Sequence, residues 1–382
     1  MSEAIKQLAV RTALELGAGA VRVTSARADE ESRRRMQAAF ARRDFLCWSF
    51  DDEYARRATD PGELCAGARS VLCIALPYNT PAPRTAPLRG RVSNYAWSAD
   101  YHRRLRALLD AVAHAIDEAV GRRVTTVACD TRPLAERALA ARAGLGWIGK
   151  HTNLISPGLG SFVFLGEVVT TLELPPDEPI AKSCGSCARC VEACPTQALR
   201  GDYTIDANRC ISDLTQRTSA IPAAMRPLIG DWVWGCDICQ IVCPPTRDAG
   251  PLGAARWGPV DLEAGRPALV DLLRLRSSGF KRTFRPTAMG WRGAAVLRRN
   301  AAVALGNALD RSTVAPLVES LCRDPHPMVR GHAAWALGRI GSPAALAALR
   351  RQANEEPSDE VRAEISMALQ PFQSNAGVCS TG

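Results

Sequence analysis

Fourteen cysteines are spread over the 382 residues, and eight of them crowd into the sixty positions from Cys184 to Cys243. The first run reads Cys184-x2-Cys187-x2-Cys190-x3-Cys194-Pro195. Three thiolates on such a tight loop can face one iron–sulfur cubane, while the fourth, carried off on the following helix, faces a different one. That geometry requires a second run. Cys210 stands alone, and Cys236-x2-Cys239-x3-Cys243-Pro244 follows it. The interchange of fourth ligands predicts one [4Fe–4S] cluster on Cys184, Cys187, Cys190 and Cys243, and a second on Cys194, Cys210, Cys236 and Cys239. Paired zinc sites also use Cys-x2-Cys spacing, but two Cys-Pro endings and a complete set of eight favour iron.

Two other motifs fail on order or context. Radical enzymes that use S-adenosylmethionine carry Cys-x3-Cys-x2-Cys, the reverse of the gaps here. Gly144-Leu-Gly146-Trp-Ile-Gly149 matches the dinucleotide fingerprint in letters, yet it follows a helical segment where the fingerprint must join a strand to a helix. These glycines are expected to permit a tight turn or a close approach to a large planar ligand. The six remaining cysteines (Cys47, Cys65, Cys73, Cys129, Cys322, Cys379) read as small apolar or inert thiols.

The elements that must hold this chemistry come in three styles. Up to about residue 175, helical patterns (Ile5–Leu16, Asp100–Val120, Pro133–Ala143) alternate with buried strands (Ser70–Leu76, Val124–Cys129, Ser161–Thr171), the mark of an α/β domain. Pro175-Pro176-Asp-Glu-Pro179 interrupts that pattern. Near the C-terminus Leu297-Arg298, Val329-Arg330 and Val361-Arg362 recur at an interval of 32 residues in Ala-rich helical sequence, as in stacked helix pairs. The expected division is 1–175 α/β, 176–250 ferredoxin-like with two clusters, 251–290 connector, 291–371 HEAT-like all-α repeats and 372–382 loose tail. With 47% hydrophobic and 23% charged residues, wholesale disorder is excluded. No apolar run approaches the roughly 20 residues needed to span a bilayer. The first residues show no export signal, so a cytoplasmic protein with reduced thiols and no membrane association is expected.

Asp130-Thr-Arg-Pro-Leu-Ala-Glu136-Arg137 through Gly144-Leu-Gly-Trp-Ile-Gly-Lys150, Gly160-Ser-Phe-Val-Phe-Leu-Gly-Glu167 and Gly235-Cys-Asp-Ile-Cys-Gln240 together resemble the epoxyqueuosine reductase family. The likeness extends through Asp100-Tyr-His-Arg, Phe280-Lys-Arg-Thr-Phe and Arg299-Asn-Ala-Ala-Val-Ala-Leu-Gly-Asn307. It implies cobalamin in the α/β domain beside the two clusters. It also implies reduction of epoxyqueuosine to queuosine at the wobble position of a tRNA, with electrons passing through the clusters to cobalamin. By the same resemblance Asp130 is the proton donor. To act as one near neutral pH it needs its protonated form favoured, most simply by burial against the cobalamin; an N-cap of the following helix is its other reading. Arg57, Asn153, Ser161, Ser212 and Asp237, with Asp130, are the implied cobalamin contacts. No Asp-x-His-x-x-Gly box is present, since Asp100-Tyr-His102 runs on as Arg-Arg-Leu, so no protein histidine is expected below cobalt. The chain departs from the family pattern at residues 40–58, at Ile211-Ser-Asp213-Leu-Thr-Gln-Arg217 and at Pro-Pro-Thr after the last ligand cysteine.

The net charge of +9 and pI near 9.0 suit a polyanionic partner. Between Leu272 and Arg311 lie nine basic residues (Arg274, Arg276, Lys281, Arg282, Arg285, Arg292, Arg298, Arg299, Arg311) and one acid, Asp310. Lys281, Arg282, Arg285, Arg298 and Arg299 are the expected tRNA contacts, with a solvated helix face as the bland alternative. The anticodon stem–loop, an external donor such as a flavodoxin or ferredoxin system, and a monomeric state complete the expectation. Competing readings are a reductive dehalogenase-like enzyme, a non-catalytic iron–sulfur electron carrier and a nucleic-acid scaffold with structural clusters.

Overall fold

The computed structural model describes residues 1–81, 83–253 and 263–372. The expected tail lies outside them except for Phe372, as do residues 254–262 of the connector. Eight strands are present among the described residues: β1 (Ala20–Ser25), β2 (Ser70–Pro77), β3 (Arg91–Val92), β4 (Thr125–Ala128), β5 (Trp147–Ile148), β6 (Leu154–Ile155), β7 (Val163–Thr170) and β8 (Trp232–Trp234). The polypeptide forms two compact units, one of residues 1–81, 98–210 and 237–260, the other of 82–97, 211–236 and 261–382. Of the cysteine-rich stretch 176–250, residues 176–210 and 237–250 belong to the first unit and 211–236 to the second.

The first unit is built on the sheet β1-β2-β7-β4. Helices and strands alternate along the chain as expected, but every pairing in this sheet is antiparallel. All eight residues of β2 are buried, because helices cover both faces. Helices α1 (Ser2–Glu15) and α4 (Tyr101–Val120) pack together, and α4 also packs on β4 and β7. Helix α5 (Glu136–Arg142) covers the other face, where Leu139, Ala140 and Ala143 meet Val71, Cys73, Ala75 and Ala128. Numbering is completed by α2 (Glu30–Ala41) and α3 (Asp52–Thr59).

The Gly-x-Gly-x-x-Gly segment joins α5 to the hairpin β5–β6. Its glycines meet the protein's own backbone: a Cβ on Gly144 would sit 2.1 Å from the Glu178 carbonyl oxygen, and one on Gly146 2.3 Å from that of Ile155. Gly144 also has φ +78°, which side chains resist.

The second unit holds the repeats, as helices Ala294–Ala308, Val314–Arg323, Pro327–Ile340, Pro343–Glu355 and Asp359–Leu369. The 32-residue recurrence of arginine has a structural cause. Arg298 reaches Asp324 at 2.6 Å, and Arg330 reaches Glu356 at 2.6 Å, in each case 26 residues on, so each pair ties one helix to the turn after its partner. Arg362, at the third position, donates to the Glu356 carbonyl.

Two expected tRNA contacts are corrected here. Arg298 is 11% exposed in its pair with Asp324, and Arg299 is 0% exposed. Arg299 donates to the carbonyls of Leu214, Thr215, Arg217 and Ser219 at 2.6–3.2 Å, capping the C-terminal end of helix Ile211–Gln216. Asn300 adds bonds to the Thr215 and Val233 carbonyls, both at 2.7 Å. Burial, and after it the cations Arg217, Arg226 and Arg292, bring the Arg299 guanidinium down to about 9. A charge so enclosed cannot reach a phosphate. The departure at 211–217 lies in this same assembly: Asp213 and Arg217 pair within it, both nearly buried. Arg299→Met strands four carbonyls and is expected to lower unfolding stability by roughly 3 kcal/mol or more. Denaturant unfolding checks this, with tRNA affinity of the folded fraction unchanged.

Candidate active site

Strand β4 ends at Ala128, and the chain then turns through Asp130 with φ +52°, a left-handed conformation that a non-glycine residue holds only when its surroundings compel it. Three contacts compel it. The Asp130 N–H donates to Glu136 Oε1 at 2.5 Å, the Tyr101 hydroxyl donates to Asp130 Oδ2 at 2.8 Å, and His102 Nε2 lies 3.2 Å from the same oxygen. Helix α5 starts at Glu136 with Ala135 before it, so Asp130 does not cap that helix.

Tyr101 and His102 open α4, whose N-cap Asp100 accepts from the His102 N–H at 3.1 Å. The Asp100 carboxylate also lies 2.6 Å from His102 Nδ1. Both imidazole nitrogens thus face acceptors, an arrangement that suits the imidazolium. His102 is accordingly raised above its ordinary 6.5, by Asp130 first and by Asp100 as well, against partial burial. Aromatic stacking fixes these rings. Tyr101 lies on Phe164 of β7 at 4.0 Å and 6°, Phe164 on Tyr78 at 4.2 Å, and His102 on Tyr101 at 4.0 Å.

The Asp130 side chain is 61% exposed, and the His102 hydrogen bond, followed by that of Tyr101, holds the carboxyl below its usual 3.8. The same contact that lowers Asp130 raises His102, so the pair favours the proton on the imidazole. Sequence reasoning missed Tyr101, His102 and Glu136 as partners of Asp130. The first two lie inside the family-like Asp100-Tyr-His-Arg motif, but they meet Asp130 across 29 and 28 residues of chain, a pairing that only the fold creates.

Hairpin β5–β6 carries two buried polar atoms with no hydrogen-bond partner among the described residues, Trp147 Nε1 and His151 Nε2. Burial, with the nearby Arg137 cation, lowers His151 to about 4, so it is neutral. Such orphaned groups, with the exposed Asp130 carboxylate nearby in sequence order, suit a large polar ligand such as cobalamin. Of the implied contacts, Asn153 lies in this hairpin, where its N–H donates to His151 Nδ1 at 3.2 Å. Arg57 is exposed on α3. Ser161 is buried and shares its hydroxyl with Thr246 at 2.9 Å and Gln240 at 3.2 Å. Asp237 is buried before helix Ile238–Ile241. Ser212, in the second unit, accepts from Gln216 at 3.0 Å.

The thiols are grouped by position and by mutual electrostatics. Cys184 and Cys243 pack in one apolar cluster with Trp147, Ile155 and Ile180. Cys190, on the short helix Arg189–Glu192, is pushed up to about 11 by burial and then by Cys184 and Cys243. Cys243 is raised by burial and also feels Cys184 and Cys187. Cys239 is raised by burial first, then by Cys210, and further by Cys190 and Cys194. Cys236 ends the second unit's 211–236 segment. Pro244 opens helix Pro244–Ala249 directly after Cys243, which explains that Cys-Pro ending: proline is at ease in a first helical turn. Buried thiols that repel one another as anions fit an iron–sulfur cluster, whose cationic iron offsets that repulsion. Replacing Asp130 by Asn keeps a side chain that tolerates positive φ but removes the negative charge. In Asp130→Asn the His102 titration, followed by NMR of its ring protons, is expected to move down toward 6.5.

Similarity to known proteins agrees with this geometry. Residues 58–131 match the family model described as "Epoxyqueuosine reductase QueG, DUF1730", residues 183–246 a 4Fe-4S double cluster binding domain, and residues 293–370 HEAT repeats. An epoxyqueuosine reductase of Bacillus anthracis is 36% identical over 327 residues, covering 84% of this chain and 86% of its own. The Bacillus subtilis enzyme is 36% identical, covering 84% of each chain. Among solved structures, an epoxyqueuosine reductase with a tRNA-Tyr epoxyqueuosine-modified stem–loop superposes with TM-score 0.87 at 33% identity, covering 96% of this chain and 98% of that one. Another, from Streptococcus thermophilus, gives TM-score 0.88 at 31% identity, covering 97% and 99%. A fold built on this sheet, a double-cluster cysteine set and terminal HEAT repeats, together with relatives matched over most of their length, places the chain in the epoxyqueuosine reductase family, whose members are oxidoreductases with two [4Fe–4S] clusters and cobalamin.

Proposed function

We propose that this chain reduces the epoxide of epoxyqueuosine to the alkene of queuosine in the anticodon loop of a tRNA, with Asp130 as the group that protonates the departing oxygen. The observation that carries this reading is the exposed Asp130 carboxylate, pinned at positive φ between a tyrosine donor and an imidazolium. When bound, the two clusters and cobalamin supply the two electrons. Cys184, Cys187, Cys190 and Cys243 would hold one cluster, and Cys194, Cys210, Cys236 and Cys239 the other. Arg57, Asn153, Ser161, Ser212 and Asp237 would contact the cobalamin.

An epoxide oxygen leaves poorly as an alkoxide, so a well-placed acid speeds its departure by about 10²–10⁴-fold. Asp130 is anionic at rest, and its proton is stored next door. As negative charge develops on the departing oxygen, the proton on His102 Nε2 passes to Asp130 Oδ2, and the O–H so formed gives it to the substrate oxygen. Tyr101 keeps the carboxylate aimed throughout, and Asp100 keeps the histidine charged. A relative from Bacillus subtilis has been captured with its catalytic aspartate loop swung out of the active site. In this chain the Asp130 turn is tied by its contacts to Glu136, Tyr101 and His102.

For tRNA, Lys281 and Arg282 on helix Ser277–Thr283 and Arg285 just beyond it remain the candidates, all three exposed. Trp291, 51% exposed with the Arg292 guanidinium 3.6 Å over its ring, adds a flat surface of the kind on which unpaired bases stack.

Asp130→Asn is expected to keep its iron and sulfide content while losing turnover by about 10²–10⁴-fold. Nucleoside analysis of epoxyqueuosine-containing tRNA after anaerobic incubation checks it, and full turnover in the variant would refute the acid role. The triple variant Lys281→Ala, Arg282→Ala, Arg285→Ala should bind tRNA more weakly. Its salt dependence should be shallower by roughly one unit of log–log slope per side chain removed, read from binding titrations at several salt concentrations.

A further inference from the structure

Turning an epoxide into an alkene and water consumes two electrons and two protons. The Asp130–His102 pair holds one proton ready, so a second must come from elsewhere. A candidate store lies beneath Asp130, in Glu167 of β7. In the antiparallel register Glu167 stands opposite Cys73 of β2 and Ala128 of β4, so its side chain lies on their face of the sheet, the face covered by α5. It is 0% exposed, and neither carboxyl oxygen has a hydrogen-bond partner among the described residues. A carboxylate cannot remain ionised in such a place, so Glu167 is a neutral acid. Glu136 begins α5 on this face, and its Oε1 is the acceptor that anchors the Asp130 N–H at 2.5 Å.

The electrostatics agree. Burial, and after it the Asp130 charge, lift Glu136 to about 8, while burial followed by Glu136 and Asp130 lifts Glu167 well above the carboxylate range. The groups around the pair are Cys73 on β2, Cys129 and Asp130 after β4, Tyr54 on α3, Tyr101 and His102 on α4, and Arg137 and Arg142 on α5. Arg142 is occupied by Thr24 Oγ1 and the Ser25 and Arg27 carbonyls, and Arg137 donates to the Thr152 carbonyl.

We propose that Glu136 and Glu167 form a buried proton reserve that recharges Asp130 within one catalytic cycle, Glu136 also positioning Asp130 through its backbone N–H. This rests on the reaction proposed above. Asp130 gives its proton to the oxygen as the first C–O bond breaks. Glu136 then protonates the Asp130 carboxylate, and the proton left on Glu167 is shared between the two glutamates. The recharged Asp130 delivers the second proton as the hydroxyl leaves as water. The two electrons are those of the reduction, and the spent groups refill from solvent at exposed Asp130 after product departs.

Glu167→Gln keeps the volume and neutrality of the acid but has no acidic proton to give. Glu136→Gln likewise keeps an oxygen for the Asp130 N–H. In the holoenzyme without substrate, infrared difference spectra between wild type and Glu167→Gln should show a carboxylic-acid C=O stretch that wild type retains at neutral pH and the variant lacks. In single turnovers on an epoxyqueuosine-bearing stem–loop, both variants should be slower by roughly tenfold or more. The alkaline limb of their pH–rate profiles should move to lower pH, because no reserve proton remains once solvent protons become scarce. Absence of that stretch from the wild-type spectrum, or wild-type pH–rate profiles in both variants, overturns the reserve. If those profiles are unchanged while Asp130→Asn is inactive, the reserve fails and the acid role of Asp130 stands. If wild type leaves the epoxide intact, the reaction itself is refuted, and the infrared band still reports whether Glu167 is protonated.

Discussion

One imidazolium–carboxylate contact sets the character of the site. His102 sits between Asp100 and Asp130, and its hydrogen bond is the largest influence holding the Asp130 carboxyl below its usual range. The pair exists because α4 opens with Asp-Tyr-His, placing a cap, an aromatic donor and a cation within one helical turn. It also exists because β4 ends in a left-handed residue whose backbone N–H is claimed by Glu136. The Tyr78–Phe164–Tyr101–His102 stack gives these polar groups a rigid wall, so that their aim comes from packing on β7 and not from the loop alone.

The same sheet separates two kinds of carboxyl group. On the exposed side of the turn, hydrogen bonds from His102 and Tyr101 stabilise the ionised Asp130. Beneath it, burial with no compensating donor stabilises the protonated Glu167. Environment, and not residue type, makes one carboxyl an anion and another a neutral acid. Pairs of titratable groups pushed apart in this way mark proton-handling sites.

In the second unit, basic residues that look alike in sequence divide sharply by role. Arg298 and Arg330 are rungs of an internal ladder of ion pairs, and Arg299 is a buried cap for the helix that carries Asp213 and Arg217. Lys281, Arg282 and Arg285 project from a short helix into solvent. An arginine's charge says nothing of this. The number of carbonyls and carboxylates within reach decides it.

Residue order alone already discloses the cluster chemistry, the repeats and Asp130 as the candidate acid. Thiol spacing along a loop, a 32-residue interval and a rare motif are all local, and local geometry is written directly in residue order. What residue order leaves open is pairing across distance. That the sheet is antiparallel, that the cysteine-rich stretch is shared between two units, that hydrogen bonds lower Asp130 and that Glu167 has no hydrogen-bond partner among the described residues each depend on which side chains meet from remote positions. A carboxyl group's proton and an arginine's accessibility are set by the solvent and dipoles around them, and those surroundings come into being only when the chain folds.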